Sequence, residues 1–492
     1  MHPCAPVRTT LAQILPATRR AMSDPATASP HPQPAQRLFH QGCAHLQAQD
    51  FAAAQDCFEQ ALTIAPQFGE ALANLAFLQE QQGAAEKAIA LYREALAAGT
   101  DAFELHMNLG NLLARQKRYQ EAELCFADAL ARQPESSAAW SNLAVLYVGC
   151  KREQDALLCL QRALELDPDN TKARFNLSYL YLRQGQFEAG WQALEARDWY
   201  ANFASHFDFA RWAGESLGSK SLLIACEAGH GDVIQFARYV PLLKAQGAAR
   251  VGLVCHPALT ELMHSLDGID AVFDLSADVP RSGWDYWTPL MSAAYHLKTR
   301  ADSIPAHIPY LHADARRIAH WATLVPPAPT RVGVAWKGNP KFENDAERSL
   351  PSAQLLAPLW QVPGTCFVSL QKGAGEDDVT LGQTGQPMLE LGPHMENFAD
   401  AAAIVHHLDL VICVDTAMAH LAGALGIPCW VLLPDYMTDW RWRSEGSTTA
   451  WYPQHMRLFR QGANARWDEV VEAVVAALKD FVAQRAATPP PQ

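Results

Sequence analysis

The stretch LDLVICVDTAMAHLAGALGIPCWVLL, residues 408–433, decides the fold of the C-terminal half of this sequence. Two short apolar runs flank a helix-like stretch, a pattern that predicts a buried strand, a helix and a second strand. Asp415 and Thr416 stand where the first strand ends, and His420 follows about one helical turn later. Ligands of open α/β sheets bind at the carboxyl ends of the strands. These three residues are therefore candidates for a binding site.

The predicted start of the helix favours an anion, above all a phosphate. Free backbone N–H groups and the helix dipole both attract negative charge there. Thr416 can add a hydroxyl donor, whereas Asp415 is better suited to capping the helix or holding a sugar or ribose hydroxyl. His420 can reach back over the same place. The alternative, that Asp415 is only a helix cap and His420 only a surface imidazole, is stronger for these three residues taken alone.

Residues 215–485 contain two series of alternating strand-like and helix-like segments. Such alternation predicts parallel sheets covered by helices on both faces. We predict a first Rossmann-like, doubly wound domain at 215–310 and a second at 330–485, joined by a helix and the Pro-rich segment 326–330. Two such domains in tandem bind ligands at the carboxyl ends of their strands, facing a shared cleft.

The first half repeats itself with a period of 34 residues from about residue 35. The clearest series consists of small residues: Gly42, Ala76, Gly110, Ala144 and Ser178. This period is typical of tetratricopeptide repeats, in which small residues let paired helices cross closely. We predict four full repeats and a partial fifth over 35–200, stacked into an α-solenoid with an extended concave face. The predicted fold class is thus an α-solenoid followed by α/β domains.

One asparagine recurs at the same position of successive repeats. The series is Asn74, Asn108, Asn142 and Asn176, and the first repeat has His40 there. An amide carries both a donor and an acceptor, so a ladder of asparagines can pair with the backbone of an extended peptide. The alternative is that each asparagine ties one helix to its neighbour. The ladder is similar to the one in the repeat domain of O-linked N-acetylglucosamine transferases, which implies an acceptor polypeptide on this face.

Composition excludes some partners and compartments. The formal net charge of −13 disfavours nucleic-acid binding, which needs a basic surface. No run approaches the ~18 apolar residues of a membrane span. Eleven cysteines without a CxxC pair or a zinc-ligand spacing favour reduced thiols, and therefore a cytoplasmic location.

Residues 1–34 are rich in Pro, Ala, Thr and Ser and lack a continuous apolar core. We predict a disordered N-terminal extension, or an upstream start with Met22 as the true initiator. The arginines that precede Asp24 also give the segment some likeness to a transit peptide.

No metal ligand set is predicted. The DxD pattern at Asp167–Asp169 falls on the closing turn of a repeat, where Pro168 occupies the repeat's proline position. The histidines form no HExxH motif. We expect neither a metal nor a cofactor beyond a co-substrate.

Three segments together resemble glycosyltransferase family nine, the heptosyltransferase group. They are EAGHGDVIQFARYVPLL (227–243), GVAWKGNPKFENDAERSLP (333–351) and VDTAMAHLAGALGIPCWVLLP (414–434). The resemblance implies a GT-B architecture, with the acceptor held by the first Rossmann-like domain and a nucleotide-sugar donor by the second. It also implies that Asp415, Thr416 and His420 contact the donor diphosphate and sugar. This chain has Ala417 where the family often has glycine.

The resemblance assigns the role of catalytic base to Asp232. Gly229 and Gly231 are expected to let the loop turn tightly, so that the carboxylate projects into the cleft and deprotonates an acceptor hydroxyl. The alternative is that Asp232 caps a helix starting at Val233.

Cations near the leaving diphosphate would stabilise the charge that develops in the transition state. Lys337 and Arg348 are the candidates that the motif supports. Arg441 and Arg443, interleaved with Trp440 and Trp442, are a further pair. This alternation favours packing of the domain end, and stacking on a base or sugar is the other interpretation.

The sequence therefore predicts a metal-independent glycosyltransferase whose solenoid recruits a protein acceptor or partner. The alternative is a tetratricopeptide scaffold with a weakly active or inactive transferase domain. A peptide-binding, chaperone-like module would leave the α/β half unexplained.

Overall fold

The computed structural model describes residues 32–277, 279–342, 344–380 and 388–487. Nearly all of the predicted N-terminal extension lies outside these ranges. The repeat region forms paired helices: α1 (Gln33–Gln47), α2 (Phe51–Ile64), α3 (Gly69–Gln81), α4 (Ala85–Ala97), α5 (Phe103–Arg115), α6 (Tyr119–Arg132), α7 (Ser137–Gly149), α8 (Glu153–Leu166), α9 (Thr171–Arg183) and α10 (Phe187–Leu194).

The starts of these helices keep the period read from the sequence. Helices α3, α5, α7 and α9 begin at Gly69, Phe103, Ser137 and Thr171, 34 residues apart. Within α1–α8 the two helices of each repeat pack on each other, and α2, α4 and α6 each pack on the helix that follows. The predicted tetratricopeptide solenoid is confirmed.

Small residues are required where the two helices of a repeat meet. A Cβ atom added to Gly42 would lie 2.6 Å from the Phe58 ring, and one added to Gly110 would lie 3.0 Å from the Phe126 ring. Both rings are fully buried. The aromatic residue of each second helix therefore fills the space that the small residue of the first helix leaves.

A first parallel sheet of five strands follows, with the order β1-β5-β2-β3-β4. Its elements are α11 (Ala201–His206), β1 (Ala210–Arg211), β2 (Ser221–Ala225), α12 (His230–Phe236), α13 (Val240–Ala245), β3 (Arg250–Cys255), α14 (Thr260–Met263), β4 (Ala271–Asp274), β5 (Tyr286–Pro289), α15 (Ser292–His296) and α16 (Ala315–Ala322).

A second parallel sheet of six strands has the order β11-β10-β9-β6-β7-β8. Its elements are β6 (Thr330–Ala335), α17 (Asp345–Arg348), β7 (Thr365–Ser369), α18 (Asp377–Thr380), β8 (Leu389–Glu390), α19 (Phe398–His406), β9 (Leu410–Val414), α20 (Ala417–Ala424), β10 (Cys429–Leu433), β11 (Met456–Arg460) and α21 (Trp467–Ala487). The predicted combination of an α-solenoid and α/β sheets is thus confirmed.

The strand order of the second sheet reverses between β6 and β9. From β6 the chain proceeds to β7 and β8 on one side, then returns to place β9, β10 and β11 on the other. Helices on opposite faces leave a crevice at such a reversal, at the carboxyl ends of the two strands. The fold therefore predicts a ligand site after β6 and β9.

The chain divides into two compact units. The described residues from Ser178 onward, which include both sheets, form one compact unit, and those up to Leu177 form the other. The division into a repeat region up to residue 200 and two Rossmann-like domains stays a prediction. Two buried contacts join the segment 178–200 to the α/β region. Trp191 of α10 lies edge-on to Trp440 and donates a hydrogen bond of 2.9 Å to the Thr299 carbonyl. Arg197 forms a fully buried ion pair with Glu227, just after β2.

From the sequence we expect no membrane-spanning segment and reduced cysteine thiols. Among the described residues, no helix combines the length and the apolar character needed to cross a membrane. The ten cysteines of the described ranges are all free.

Candidate functional site

Three of the predicted donor-binding residues follow the two strands at the reversal of the second sheet. Lys337 lies two residues beyond the end of β6, and Asp415 and Thr416 come directly after β9. The two strands pair in parallel, with Ala335 opposite Cys413. The fold thus brings Lys337, Asp415 and Thr416 to the same edge of one sheet.

Thr416, and not Asp415, is the N-cap of α20. Its side chain makes no capping hydrogen bond to the helix. Apart from a weak interaction with the Cys413 thiol, its buried hydroxyl lacks a hydrogen-bond partner among the described residues. Buried polar atoms normally have partners, so this hydroxyl at the helix N-terminus has hydrogen-bonding capacity that the described residues do not use.

Asp415 is in an environment that favours its protonated form. Burial and the nearby Asp439 carboxylate raise the pKa of Asp415, although the Arg348 guanidinium opposes this. A protonated carboxyl can both donate and accept hydrogen bonds, so a ligand hydroxyl is a suitable partner for Asp415.

The predicted cations are both paired with carboxylates. Lys337 Nζ lies 2.9 Å from Asp378 Oδ2, and Arg348 Nε lies 3.1 Å from Asp345 Oδ1. The Arg348 guanidinium also stacks over the Phe342 ring at 4.3 Å. An anionic ligand at this edge would therefore share these cations with the carboxylates or displace them.

Asp232 occupies the third position of α12, because the helix begins at His230 and not at Val233. Its Oδ2 atom accepts a hydrogen bond of 2.8 Å from the Gly229 N–H. Its Oδ1 atom accepts a hydrogen bond from Arg441. The carboxylate therefore lies where α12, next to the first sheet, meets the loop that follows β10 of the second sheet. The Asp232 side chain is 22% exposed.

The sequence predicts that Gly229 and Gly231 allow a tight turn, but the structure gives them other roles. Gly229 has a φ of −91°, and among the loop residues it is Ala228 that adopts a positive φ, of 60°. Gly231 is needed for close packing. A Cβ atom on it would lie 3.0 Å from His420 Cδ2 and 3.4 Å from the Ala417 Cα atom. Gly231 thus allows α12 and α20 to approach each other.

Arg441 connects the two sheets, a role that the sequence did not indicate. Besides Asp232, its guanidinium contacts Asp439 Oδ1 at 3.1 Å and the Gln235 side chain. Burial disfavours the charged form, yet the carboxylates of Asp439 and Asp232 raise the pKa of Arg441. The packing interpretation of Trp440 and Trp442 agrees with their burial.

His420 is a buried, neutral imidazole. Burial and the positive charge of Arg441 lower the pKa of His420 to about 3, although Asp439 opposes this. The ring stacks on Trp442 with a centroid separation of 5.4 Å, and Nδ1 lies 3.2 Å from the Tyr452 hydroxyl. A surface imidazole, the alternative from the sequence, is therefore wrong.

Two members of the asparagine ladder contact the preceding repeat. The Asn142 amide nitrogen donates to Asn111 Oδ1 at 3.0 Å, and the Asn74 amide nitrogen lies 3.7 Å from Cys43 Sγ. Both side chains are buried. Asn108 is half-buried, and its amide nitrogen lacks a hydrogen-bond partner among the described residues. The geometry favours a structural tie for Asn74 and Asn142, and peptide binding stays a prediction.

No cluster of metal-ligating side chains occurs in the described part of the chain.

Comparison with family models supports both halves of the sequence analysis. Tetratricopeptide repeat models match residues 39–103, 80–146, 137–170 and 159–192. The model of glycosyltransferase family 9 (heptosyltransferase) matches residues 364–432. The chain thus carries tetratricopeptide repeats in its N-terminal region and a glycosyltransferase family 9 domain at its C-terminal end. The matched segment includes Asp415, Thr416 and His420 but not Asp232 or Lys337.

Individual proteins match parts of the chain. Protein FlbA of Caulobacter vibrioides is 28% identical over 332 residues, which cover 61% of this chain and 54% of that protein. The chain therefore spans about half the length of this relative. The solved structure of MamA from Desulfovibrio magneticus RS-1 is 18% identical with a TM-score of 0.31, and the match covers 36% of this chain and 98% of that chain. The solved structure of pilF of Pseudomonas aeruginosa is 24% identical with a TM-score of 0.31, and the match covers 33% of this chain and 74% of that chain.

We predict that Gly231→Ala destabilises the protein by about 1–3 kcal/mol, since the added methyl group overpacks the α12–α20 contact. Thermal or denaturant unfolding measures the change. Gly229→Ala is the matched control, because its Cβ would meet only Asp232 Oδ2 at 3.4 Å. Equal stability of the two variants would contradict the packing role of Gly231.

We predict that Asn142→Ala lowers the free energy of unfolding by about 1 kcal/mol, through loss of its hydrogen bond to Asn111. Asn108→Ala, at the same repeat position, should cost less because its amide nitrogen has no bond to lose. Denaturant unfolding of the two variants measures the difference. A larger loss in Asn108→Ala would show that the structural tie is misassigned.

Proposed function

We propose that the chain is a glycosyltransferase of GT-B architecture that transfers a sugar from a nucleotide-diphosphate sugar to an acceptor hydroxyl, without a metal. The family 9 match supports the reaction class. The single observation that carries the donor site is the meeting of Lys337, Asp415 and Thr416 at the edge where β6 and β9 end. Ligands of doubly wound sheets bind at this place.

The proposed donor site binds its ligand through both charged groups and hydrogen-bonding groups. The N-terminus of α20 and the Thr416 hydroxyl face the diphosphate, and Lys337 and Arg348 supply positive charge to it. Asp415 holds a hydroxyl of the sugar or ribose. The neutral His420 donates a hydrogen bond to the same ligand.

In the proposed reaction, Asp232 removes the proton of the acceptor hydroxyl. The acceptor oxygen forms a bond to the anomeric carbon while the bond from that carbon to the diphosphate oxygen breaks. The nucleotide diphosphate leaves with the electron pair, and attack from the opposite side inverts the anomeric configuration. Arg348 and Lys337 stabilise the charge on the leaving group.

A non-catalytic scaffold is the second candidate, and one observation favours it. Lys337, Arg348 and Asp232 each already have an oppositely charged partner within the protein. A decayed site that had lost its ligand would keep such internal pairs. Absence of turnover in a protein that still binds nucleotide sugar would support this alternative.

We further propose that the repeat region recruits a protein, either the acceptor or a partner. Tetratricopeptide solenoids commonly bind proteins on their concave face. A peptide held by the half-buried Asn108 fits this proposal better than one held by the buried Asn74 or Asn142.

We predict that Lys337→Ala weakens binding of a nucleotide-diphosphate sugar by roughly 10- to 100-fold, the loss expected for one charged hydrogen bond. Calorimetric titration with uridine, guanosine, adenosine and cytidine diphosphate sugars measures it. Lys341→Ala, an exposed lysine four residues away, is the control. If none of these ligands binds the wild-type protein, the proposed donor class is wrong.

We predict that Asp232→Asn lowers kcat by about 100-fold or more and leaves donor affinity nearly unchanged, because the amide cannot accept the proton. A coupled assay of nucleotide diphosphate release measures turnover, with exposed Asp267→Asn as the control. Full activity of Asp232→Asn would reduce this residue to a structural partner of Gly229 and Arg441. The same assay in EDTA tests metal independence, which inhibition reversed by a divalent cation would refute.

A further inference from the structure

Four side chains form a buried polar cluster behind the proposed donor site. They are Arg238, Tyr310, His420 and Tyr452, here called the Tyr452 cluster. The Tyr452 hydroxyl lies 3.2 Å from His420 Nδ1 and 3.3 Å from the Tyr310 hydroxyl. The Arg238 guanidinium lies over the Tyr452 ring, 4.5 Å from its centroid. No proposed step in the reaction uses Tyr452.

The hydrogen bonds of the cluster fix the direction in which each proton points. The Tyr310 hydroxyl lies 3.1 Å from the Ile234 carbonyl oxygen. A carbonyl only accepts, so Tyr310 donates its single proton there. The Tyr310 oxygen in turn accepts a hydrogen bond of 3.3 Å from Arg238 Nη2.

Tyr452 therefore has two neighbours to which it could donate, Tyr310 and His420. An imidazole nitrogen is a far stronger base than a phenol oxygen, and the Tyr310 oxygen already accepts from Arg238. Tyr452 donates to His420 Nδ1. A neutral imidazole with an accepting Nδ1 atom carries its proton on Nε2.

The opposite edge of the imidazole faces the junction of the two sheets. His420 Cδ2, which is bonded to Nε2, lies 3.0 Å from the position of a Cβ atom on Gly231. Stacking on Trp442 at an interplanar angle of 19° holds the plane of the ring. The neutral state of His420, favoured by burial and by Arg441, agrees with a single proton on the ring.

We propose that Tyr452 is a positioning residue that fixes His420 as the Nε2–H tautomer, so that Nε2 donates to an anionic oxygen of the donor diphosphate. The part of this inference that concerns the diphosphate rests on the proposed function. The tautomer itself is a property of the ligand-free protein.

NMR of the full chain with ¹⁵N-labelled histidine tests the tautomer directly. His420→Gln identifies the His420 signals by their disappearance. We expect the wild-type spectrum to show a protonated Nε2 and an unprotonated Nδ1 for His420. In Tyr452→Phe we expect this tautomer to lose its dominance. A protonated Nδ1 in the wild type, or an unchanged tautomer in Tyr452→Phe, would overturn the assignment.

Binding measurements separate positioning from stability. We expect Tyr452→Phe to weaken nucleotide-sugar binding by about tenfold, the loss of one hydrogen bond to a charged group. Tyr310→Phe removes a neighbouring buried hydroxyl but keeps the contact between Tyr452 and His420, so it should retain the tautomer and the affinity. Equal losses of affinity in the two variants would refute a specific role of Tyr452.

A double mutant completes the test. Glutamine at position 420 offers an amide N–H in place of Nε2–H and needs no tautomer. In the His420→Gln background, Tyr452→Phe should not weaken donor binding further, and a further tenfold loss would refute the coupling. If the wild-type protein binds no nucleotide sugar, the proposed function and the diphosphate contact both fail, whereas the NMR result still decides whether Tyr452 sets the tautomer.

Discussion

The arrangement of the candidate site depends on the close packing of α12 against α20 at Gly231. Because Gly231 has no side chain, the first turn of α12, which belongs with the first sheet, lies directly against the imidazole of His420 on α20, which belongs with the second sheet. This contact places Asp232, the next residue of α12, within reach of Arg441. A side chain at position 231 would press on His420 and push α12 and α20 apart, and with them the proposed base and the proposed donor site.

The ion pair between Asp232 and Arg441 does not by itself exclude Asp232 as a base. A carboxylate has about four acceptor positions, and the bonds from Gly229 and Arg441 occupy two of them. Removal of Asp232 would still leave Arg441 paired with Asp439, which limits the cost of an uncompensated buried charge. The pair therefore orients the carboxylate and leaves positions for an acceptor hydroxyl.

Local patterns predicted much of the fold, and contacts between distant residues account for what they missed. The 34-residue period located the helix starts because each repeat is set by residues within it. The strand that ends at Val414 was visible for the same reason. Arg441 and Asp232 are 209 residues apart in the sequence, so no local sequence pattern predicts their contact. The alternative of a helix starting at Val233 rests on Asp being a common N-cap, whereas here Gly229 precedes the helix and Asp232 reaches back to it.

The asparagine ladder shows why a recurring residue does not by itself identify a binding site. At one repeat position, Asn74 contacts a cysteine and Asn142 contacts another asparagine, each 31 residues earlier in the chain. The contact between neighbouring repeats recurs, but the partner changes. A structural tie between helices and a ligand ladder both follow the geometry of the repeat, so both produce the same period. Burial separates them: an amide that is 2% exposed, such as that of Asn74, has little surface left for a peptide backbone.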